Sequence, residues 1–438
     1  MDKLVITGGA PLYGSIIIGG AKNAALPLMC ATLLTDKVVT LDNVPYLADI
    51  TTMAKLLMQH GSTLSVQDSG SGDLFAQNRE SGHYSRRLTL HAPNITSITA
   101  PYDLVRTMRA SVLVLGPILA REGRAKVSLP GGCAIGTRPI DLHLYAMERL
   151  GATIRLEEGY VIAEAPAGGL VGNEIMFEKV SVGATENALM AATLARGTTI
   201  IRNAAREPEI GDLAELLNAM GAQITGIDTD TLTIQGVNSL DGTEHRVIAD
   251  RIETGTYLCA VGLAGGELTL QHARPDTLLN VIDVIRAIGI HVEHEGDTIR
   301  VAHQRGAPLH PASLTTAPHP DFPTDMQAQV MTLLTQALGN SPISETIFEN
   351  RFMHVPELAR MGANISVEGH TAIVHGATSL KGAPVMATDL RASVSLVIAA
   401  LAAEGETAVN RIYHLDRGYE RLEEKLTACG ANIRRVRH

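Results

Sequence analysis

One cysteine in the chain stands where a thiol can react. Cys133 lies in KVSLPGGCAIGTRPIDLH (126–143), after a short apolar strand and a Pro-Gly-Gly turn, with Arg138 five residues further on. Three glycines and two prolines exclude helix or central strand over this stretch. A loop thiol close to fixed positive charge is activated for acid–base or nucleophilic chemistry; an inert loop side chain is the alternative. Cys30, Cys259 and Cys429 sit in apolar helical runs and read as small core residues.

Cations form a second group: Lys22, Arg138, Arg351, Arg391 and Arg417. Arginine offers a planar fork of donors that fits phosphate or carboxylate, although solvated surface positions are its commoner fate. Asp325, in PHPDFPTDMQAQ, is either a helix N-cap or a general base for a hydroxyl. KVSVGATEN (179–187) is either a capped helix start or a cradle of backbone N–H groups for a diphosphate. GGAKNAA resembles a phosphate loop only loosely and lacks the GKS/T ending. The 16 histidines show no HExxH or other ligand spacing, so neither a metal nor a cofactor is expected.

A sixfold repeat positions these groups. A phrase of apolar helix, glycine, small residue and apolar strand recurs around Gly61, Gly151, Gly221, Gly289, Gly362 and Gly430. Glycine just past a helix is the expected left-handed cap. Each repeat also holds a helix of small apolar residues, apolar almost all round and therefore expected inside a domain: 21–34, 108–120, 182–195, 253–264, 323–338 and 389–403. Polar groups gather at their first turns: Lys22 with Asn23, Arg109, Ser181, Arg251 with Glu253, Asp325, and Asp389 with Arg391. Helix N-termini carry partial positive charge and open N–H groups, so converging N-termini make an anion site. Arg206, Arg274, Arg351 and Arg417 occupy the loops after the strands, as a second ring. The second repeat interval is about 20 residues longer, through the Ser/Gly/Asp-rich segment 65–86, which reads as an extended surface hairpin or loop. Alternating strands and helices indicate an α/β fold, with two domains of three repeats each: 22–248, and 1–21 plus 249–438. Residues 1–21 are expected to form one strand that pairs with the C-terminal half.

Composition agrees with an enzyme-sized core. Apolar residues make up 45% of the 438, aromatics only 3%, and tryptophan is absent, so the core must be aliphatic. A formal net charge of −10 argues against nucleic-acid or membrane-surface partners and requires that an anionic substrate be held by a local cluster of cations. MDKLVITGG enters a strand directly and no apolar run is long enough to span a bilayer, which together with four scattered cysteines leads us to expect a cytoplasmic protein.

These motifs together resemble the UDP-N-acetylglucosamine enolpyruvyl transferase (1-carboxyvinyltransferase) family. The likeness is carried by GGAKNAALP, RTMRAS, SLPGGCAIGTRPIDLH, KVSVGATEN, AAREPEI, DRIETGTYL, TAPHPDFPTDMQAQ, ETIFENRFMHVPEL, ATDLRAS and RIYHLDRGYERLEEKL, which cover essentially the whole chain. The longer 65–86 segment departs from the pattern but lies outside the motifs. The resemblance implies an inverse α/β barrel: two domains, each of three βαβαββ repeats about a pseudo-threefold axis, with the active site between them and the Cys133 loop closing as a lid. It implies transfer of the enolpyruvyl group of phosphoenolpyruvate to the 3-hydroxyl of UDP-N-acetylglucosamine by addition and elimination, releasing phosphate, in peptidoglycan precursor synthesis. By the same resemblance Cys133 is the general acid, the thiol that forms a phosphoenolpyruvate adduct and the target of fosfomycin. Lys22, Arg138 and Arg417, with Asn23, match the phosphate clamp, Lys22 and Arg417 also serving catalysis. Arg351 and Arg391 match residues at the phosphoenolpyruvate carboxylate, and Asp325 matches the base at the sugar hydroxyl. Arg109, Arg138, Pro139, Ile140, Asp141, Leu142, Lys179, Val180, Ser181, Val182, Asp325 and Ile347 match contacts to the sugar nucleotide. The related 5-enolpyruvylshikimate-3-phosphate synthases lack the PGGC loop, and a non-catalytic sugar-nucleotide binder would not need Cys133, Asp325 and five cations.

Overall fold

Alanine, leucine and methionine lose little side-chain freedom in a helix and show no polar face, so the six small-residue runs fold as buried helices. In the computed structural model, which describes residues 2–67, 86–129 and 139–437, they are α1 (Lys22–Ala31), α2 (Leu115–Glu122), α3 (Val182–Ala192), α4 (Arg251–Ala264), α5 (Gln327–Leu334) and α6 (Leu390–Ala402). Every residue of α4 and of α5 is buried. Two of the expected helices start differently: Arg109–Val114 and Thr324–Met326 wind as tighter 3-10 turns ahead of α2 and α5. Side-chain caps fix three other starts. Asp250 accepts from the amides of Ile252 and Glu253 (2.8 and 3.0 Å), Asp389 from those of Arg391 and Ala392 (2.9 and 3.1 Å), and Ser181 from Ala184 (3.4 Å).

The second helix of each repeat is amphipathic and stops at the repeat glycine. All six glycines have φ between +92° and +111°, a conformation in which a Cβ is strained. Each repeat then closes one sheet, and six four-stranded sheets occur among the described residues. The third repeat is representative. Glu174–Met176 and Thr198–Arg202 pair in parallel across α3, and the hairpin strands Gln223–Thr225 and Thr231–Gln235 join antiparallel. Two sheets borrow their parallel strand from elsewhere in the chain. Thr243–Arg246 pairs with Val38–Val44, and Leu12–Ile17 with Gly266–Gln271.

The described residues fall into two compact units. One comprises 20–129 with 139–248, the other 2–19 with 249–437. Each has three sheets and one aliphatic core built on its inner helices. This is the inverse α/β barrel of βαβαββ repeats, helices within and sheets without. The N-terminal segment corrects one expectation. It holds two strands, Lys3–Thr7 and Leu12–Ile17, rather than one. Gly9 at φ +103° and Pro11, which has no N–H, break the run between them. Lys3–Thr7 pairs with Glu406–Asn410 and Asn432–Val436, completing the last repeat. In the long interval, Thr63–Gln67 and Arg86–His91 pair antiparallel, and residues 68–85 lie outside the described residues. No helix among the described residues is long and apolar enough to cross a membrane.

Candidate active site

In the unit of 249–437, three expected site residues meet directly. Asp325 lies in the 3-10 turn ahead of α5, Arg391 in the first turn of α6, and Arg351 in the loop after the strand Asn340–Ser344. Arg351 Nη2 donates to Asp325 Oδ1 at 2.6 Å and Arg391 Nη2 donates to Oδ2 at 2.7 Å. Both guanidinium side chains are about 95% buried while Asp325 keeps 26% of its side-chain surface exposed. The position ahead of the turn is Pro323, which makes no side-chain cap bond, and the Asp325 carboxylate is engaged by the two arginines. Burial works against the charge of Arg391, and Asp325, Tyr419 and Asp250 together more than offset it, so its pKa lies above the ordinary value. The carboxylate bridges two cations that would otherwise stand desolvated and close together.

Residues without an obvious sequence signal hold this cluster. Glu345, 2% exposed, accepts from the hydroxyls of Thr316 and Thr324 (2.9 Å each) and from the amides of Ile347 and Phe348 (2.9 and 3.2 Å). It thereby ties the turn that carries Asp325 to the loop that leads to Arg351. His354 is buried, with Nε2 at 3.2 Å from Met331 Sδ. Burial pushes its imidazole down to about 4, Arg351 adding to the effect and Asp389 opposing it. Gln329 Nε2 donates to the carbonyl of Asp325 at 2.9 Å. Arg417 ends the 3-10 turn Ile412–Arg417, half-buried, and with burial lowers the pKa of His414.

In the unit of 20–248, Lys22 opens α1 with Nζ at 3.4 Å from Asp49 Oδ2, and Asn23 follows in the same turn. Arg109 Nη2 donates to the carbonyl of Pro139 at 3.0 Å, which joins two residues expected at the sugar nucleotide. Ile140 packs on Val112 and Val161, Asp141 starts the next helix and Leu142 is buried. Lys179 is exposed, Val180 and Val182 are half-buried, and the Ser181 hydroxyl is engaged in capping α3.

A second cluster in this unit escaped the sequence reading. Asn187, fully buried on α3, accepts from the amide of Gly116 through Oδ1 (2.7 Å). Its Nδ2 faces the carbonyl of Val112 and His143 Nδ1, 3.0 Å from each. Since the amide nitrogen only donates, His143 Nδ1 accepts and the ring proton sits on Nε2. Gly183 sits against the ring; a Cβ there would come within 3.0 Å of His143 Cε1. The available signal was the polar run Thr185, Glu186 and Asn187 inside a helix otherwise built of small apolar residues.

Other expected members do not join these clusters. Arg274 makes a local two-bond pair with Asp276, and Arg206 donates to the carbonyl of Asp228 at 3.2 Å; both are exposed. Cys133 and Arg138 lie outside the described residues. Among the described residues, no group of three or more His, Cys, Asp or Glu is arranged to hold a metal ion.

Residues 6–426 match the EPSP synthase (3-phosphoshikimate 1-carboxyvinyltransferase) family. The enolpyruvyl transferase NikO from Streptomyces tendae is similar over 99% of both chains, with a TM-score of 0.86 and 27% identity. EPSP synthase from Acinetobacter baumannii, at 15% identity and a TM-score of 0.75, shares the fold. The UDP-N-acetylglucosamine 1-carboxyvinyltransferase of Paramagnetospirillum magneticum is 59% identical over 100% of this chain and 99% of its own length, and that of Sinorhizobium medicae is 58% identical over 100% of both. At such identity over the full length, with the repeats, the capped inner helices and the Asp325 cluster all in one frame, the chain belongs to the UDP-N-acetylglucosamine 1-carboxyvinyltransferase family.

Proposed function

We propose that the protein transfers the enolpyruvyl group of phosphoenolpyruvate to the 3-hydroxyl of UDP-N-acetylglucosamine and releases phosphate, as the first committed step of peptidoglycan precursor synthesis in the cytoplasm. The observation that carries this reading is the Arg351–Asp325–Arg391 cluster, two desolvated guanidiniums on one carboxylate, in a chain with full-length enolpyruvyl transferase relatives. A polyanionic substrate needs such fixed cations, and in a water-poor site they stabilise charge that develops in the transition state.

The sugar 3-oxygen attacks C2 of phosphoenolpyruvate while C3 takes up a proton. Asp325 accepts the hydroxyl proton and Cys133 supplies the proton to C3, leaving a tetrahedral ketal that still carries the phosphate. Loss of a C3 proton and cleavage of the bond from C2 to the phosphate oxygen restore the double bond and free inorganic phosphate. Asp325 can serve only if its oxygens are released from the guanidiniums that now hold them. The incoming carboxylate of phosphoenolpyruvate does this by replacing Asp325 on Arg351 and Arg391. Lys22, Asn23, Arg138 and Arg417 take the phosphate. Arg109, Arg138, Pro139, Ile140, Asp141, Leu142, Lys179, Val180, Ser181, Val182 and Ile347 receive the sugar nucleotide, several through backbone groups. The test is a phosphate-release assay with two acceptors. Release with UDP-N-acetylglucosamine but not with shikimate 3-phosphate is expected. Release with shikimate 3-phosphate alone would assign the sister activity, and none with either would leave a binding protein.

A further inference from the structure

The three inner helices of the 249–437 unit meet through a polar cluster set in an aliphatic core. Thr256 comes from α4, Gln329 from α5 and Arg391 from α6, and Tyr419 from the segment that follows the 3-10 turn Ile412–Arg417. Thr256 and Gln329 are fully buried and Tyr419 is 2% exposed. Tyr419 Oη lies 2.9 Å from Thr256 Oγ1 and accepts from Arg391 Nη1 at 3.2 Å, while Gln329 Nε2, with one N–H on the Asp325 carbonyl, shares the other between Tyr419 Oη and Thr256 Oγ1, 3.2 Å from each. Thr256 Oγ1 donates its only proton to the carbonyl of Ile252 at 2.7 Å. It must therefore accept from Tyr419, whose single proton is then committed, and both lone pairs of the phenol face Gln329 and Arg391. Gln329 in turn holds the carbonyl of Asp325. One cluster thus fixes the Arg391 guanidinium and the backbone of its partner.

We infer that Tyr419 is a positioning residue for Arg391: it anchors Nη1, so that Nη2 is aimed at Asp325 and, after exchange, at the carboxylate of phosphoenolpyruvate. The inference rests on the reading of Arg391 as a phosphoenolpyruvate residue. Burial raises the phenol's pKa, with Arg391 pulling the other way, so the hydroxyl stays neutral and available as an acceptor.

The test is a double-mutant cycle on the full chain with Tyr419→Phe and Arg391→Lys, following KM for each substrate separately. A hydrogen bond to a charged group sets the scale, so Tyr419→Phe should raise the KM for phosphoenolpyruvate roughly tenfold. The KM for UDP-N-acetylglucosamine should stay within about twofold. In the Arg391→Lys background the same change should add nothing. A ring-fluorinated tyrosine at 419 keeps the size and weakens the oxygen as acceptor, so it gives the same readout if the phenylalanine variant does not fold. An unchanged phosphoenolpyruvate KM, an equal rise in both KM values, or additivity in the cycle would overturn the role of Tyr419. A normal phosphoenolpyruvate KM in Arg391→Lys would overturn the underlying reading as well. A normal value in Tyr419→Phe beside a raised one in Arg391→Lys would overturn the inference alone.

Discussion

Replacing Asp325 with asparagine separates charge from shape at the centre of the site. Each carboxylate oxygen now accepts one guanidinium N–H, at 2.6 Å from Arg351 and 2.7 Å from Arg391. Asparagine keeps the volume, and its oxygen can still serve one arginine. Its NH2 group then meets the other guanidinium donor to donor. Removing one partner from a buried ion pair costs roughly 3–5 kcal/mol. Asp325 is 26% exposed, so water screens part of this, and about 2–3 kcal/mol is the better figure. For a folding unit of this size that lowers Tm by about 4–12 °C. Turnover should fall roughly 10²- to 10⁴-fold as the proton acceptor is lost, while UDP-N-acetylglucosamine still binds. The two arginines also lose their internal counter-ion, so phosphoenolpyruvate should raise Tm more in the variant than in the parent. Thermal melts with and without phosphoenolpyruvate, sugar-nucleotide titration and phosphate release measure all three. Turnover near the parent's would refute Asp325 as the base. Equal stabilisation of both proteins by phosphoenolpyruvate would refute the exchange of Asp325 for the substrate carboxylate.

Cys133→Ser should lose most turnover and escape labelling by fosfomycin, whereas changes at Cys30, Cys259 and Cys429, all buried, should do neither; mass spectrometry that finds the drug on another cysteine sinks this. His354 has a folded pKa of about 4 against 6.5 when free. Between those values the unfolded chain binds a proton that the folded chain does not, so stability is complete above pH 6.5 and falls as pH drops towards 4, by up to about 3 kcal/mol. His60, His303 and His414 shift in the same direction. His354→Gln should flatten the dependence of Tm on pH across that window, and an unaltered slope would count against it. Glu186 is buried, and burial with the nearby Glu209 and Glu207 raises its carboxyl pKa well above the usual range. Its ionisation in the unfolded chain draws stability away as pH rises past 4.5, so Glu186→Gln should raise Tm at pH 7 and hardly change it at pH 4. A gain of the same size at both pH values would point to packing instead.

How much of this was legible beforehand depends on the range of the interaction. The repeat glycines stand out because a left-handed cap after a helix is a demand of the local backbone. The inner helices stand out because an all-apolar period can be satisfied only by burial. Ser181 as a cap follows from residue type and position along a helix. Asp325 marks the boundary. A local reading of an acid after Pro-Thr fits a cap equally well, and the decision comes from arginines 26 and 66 residues away. Glu345 resembles any surface glutamate in one dimension, yet it is buried and organises two loops.

The sequence by itself therefore determined the architecture: six repeats, buried small-residue helices, glycine-capped amphipathic helices and an aliphatic core. These follow from periodicity and backbone sterics, which act within a few residues. The tertiary structure decided which polar groups become partners. Asp325 with two arginines, Asn187 with His143, and Tyr419 with Arg391 join residues from different helices or loops. Inside a low-dielectric core each such group must find its complement or carry a large desolvation penalty, and the complement is chosen by packing in three dimensions rather than by neighbourhood in the chain.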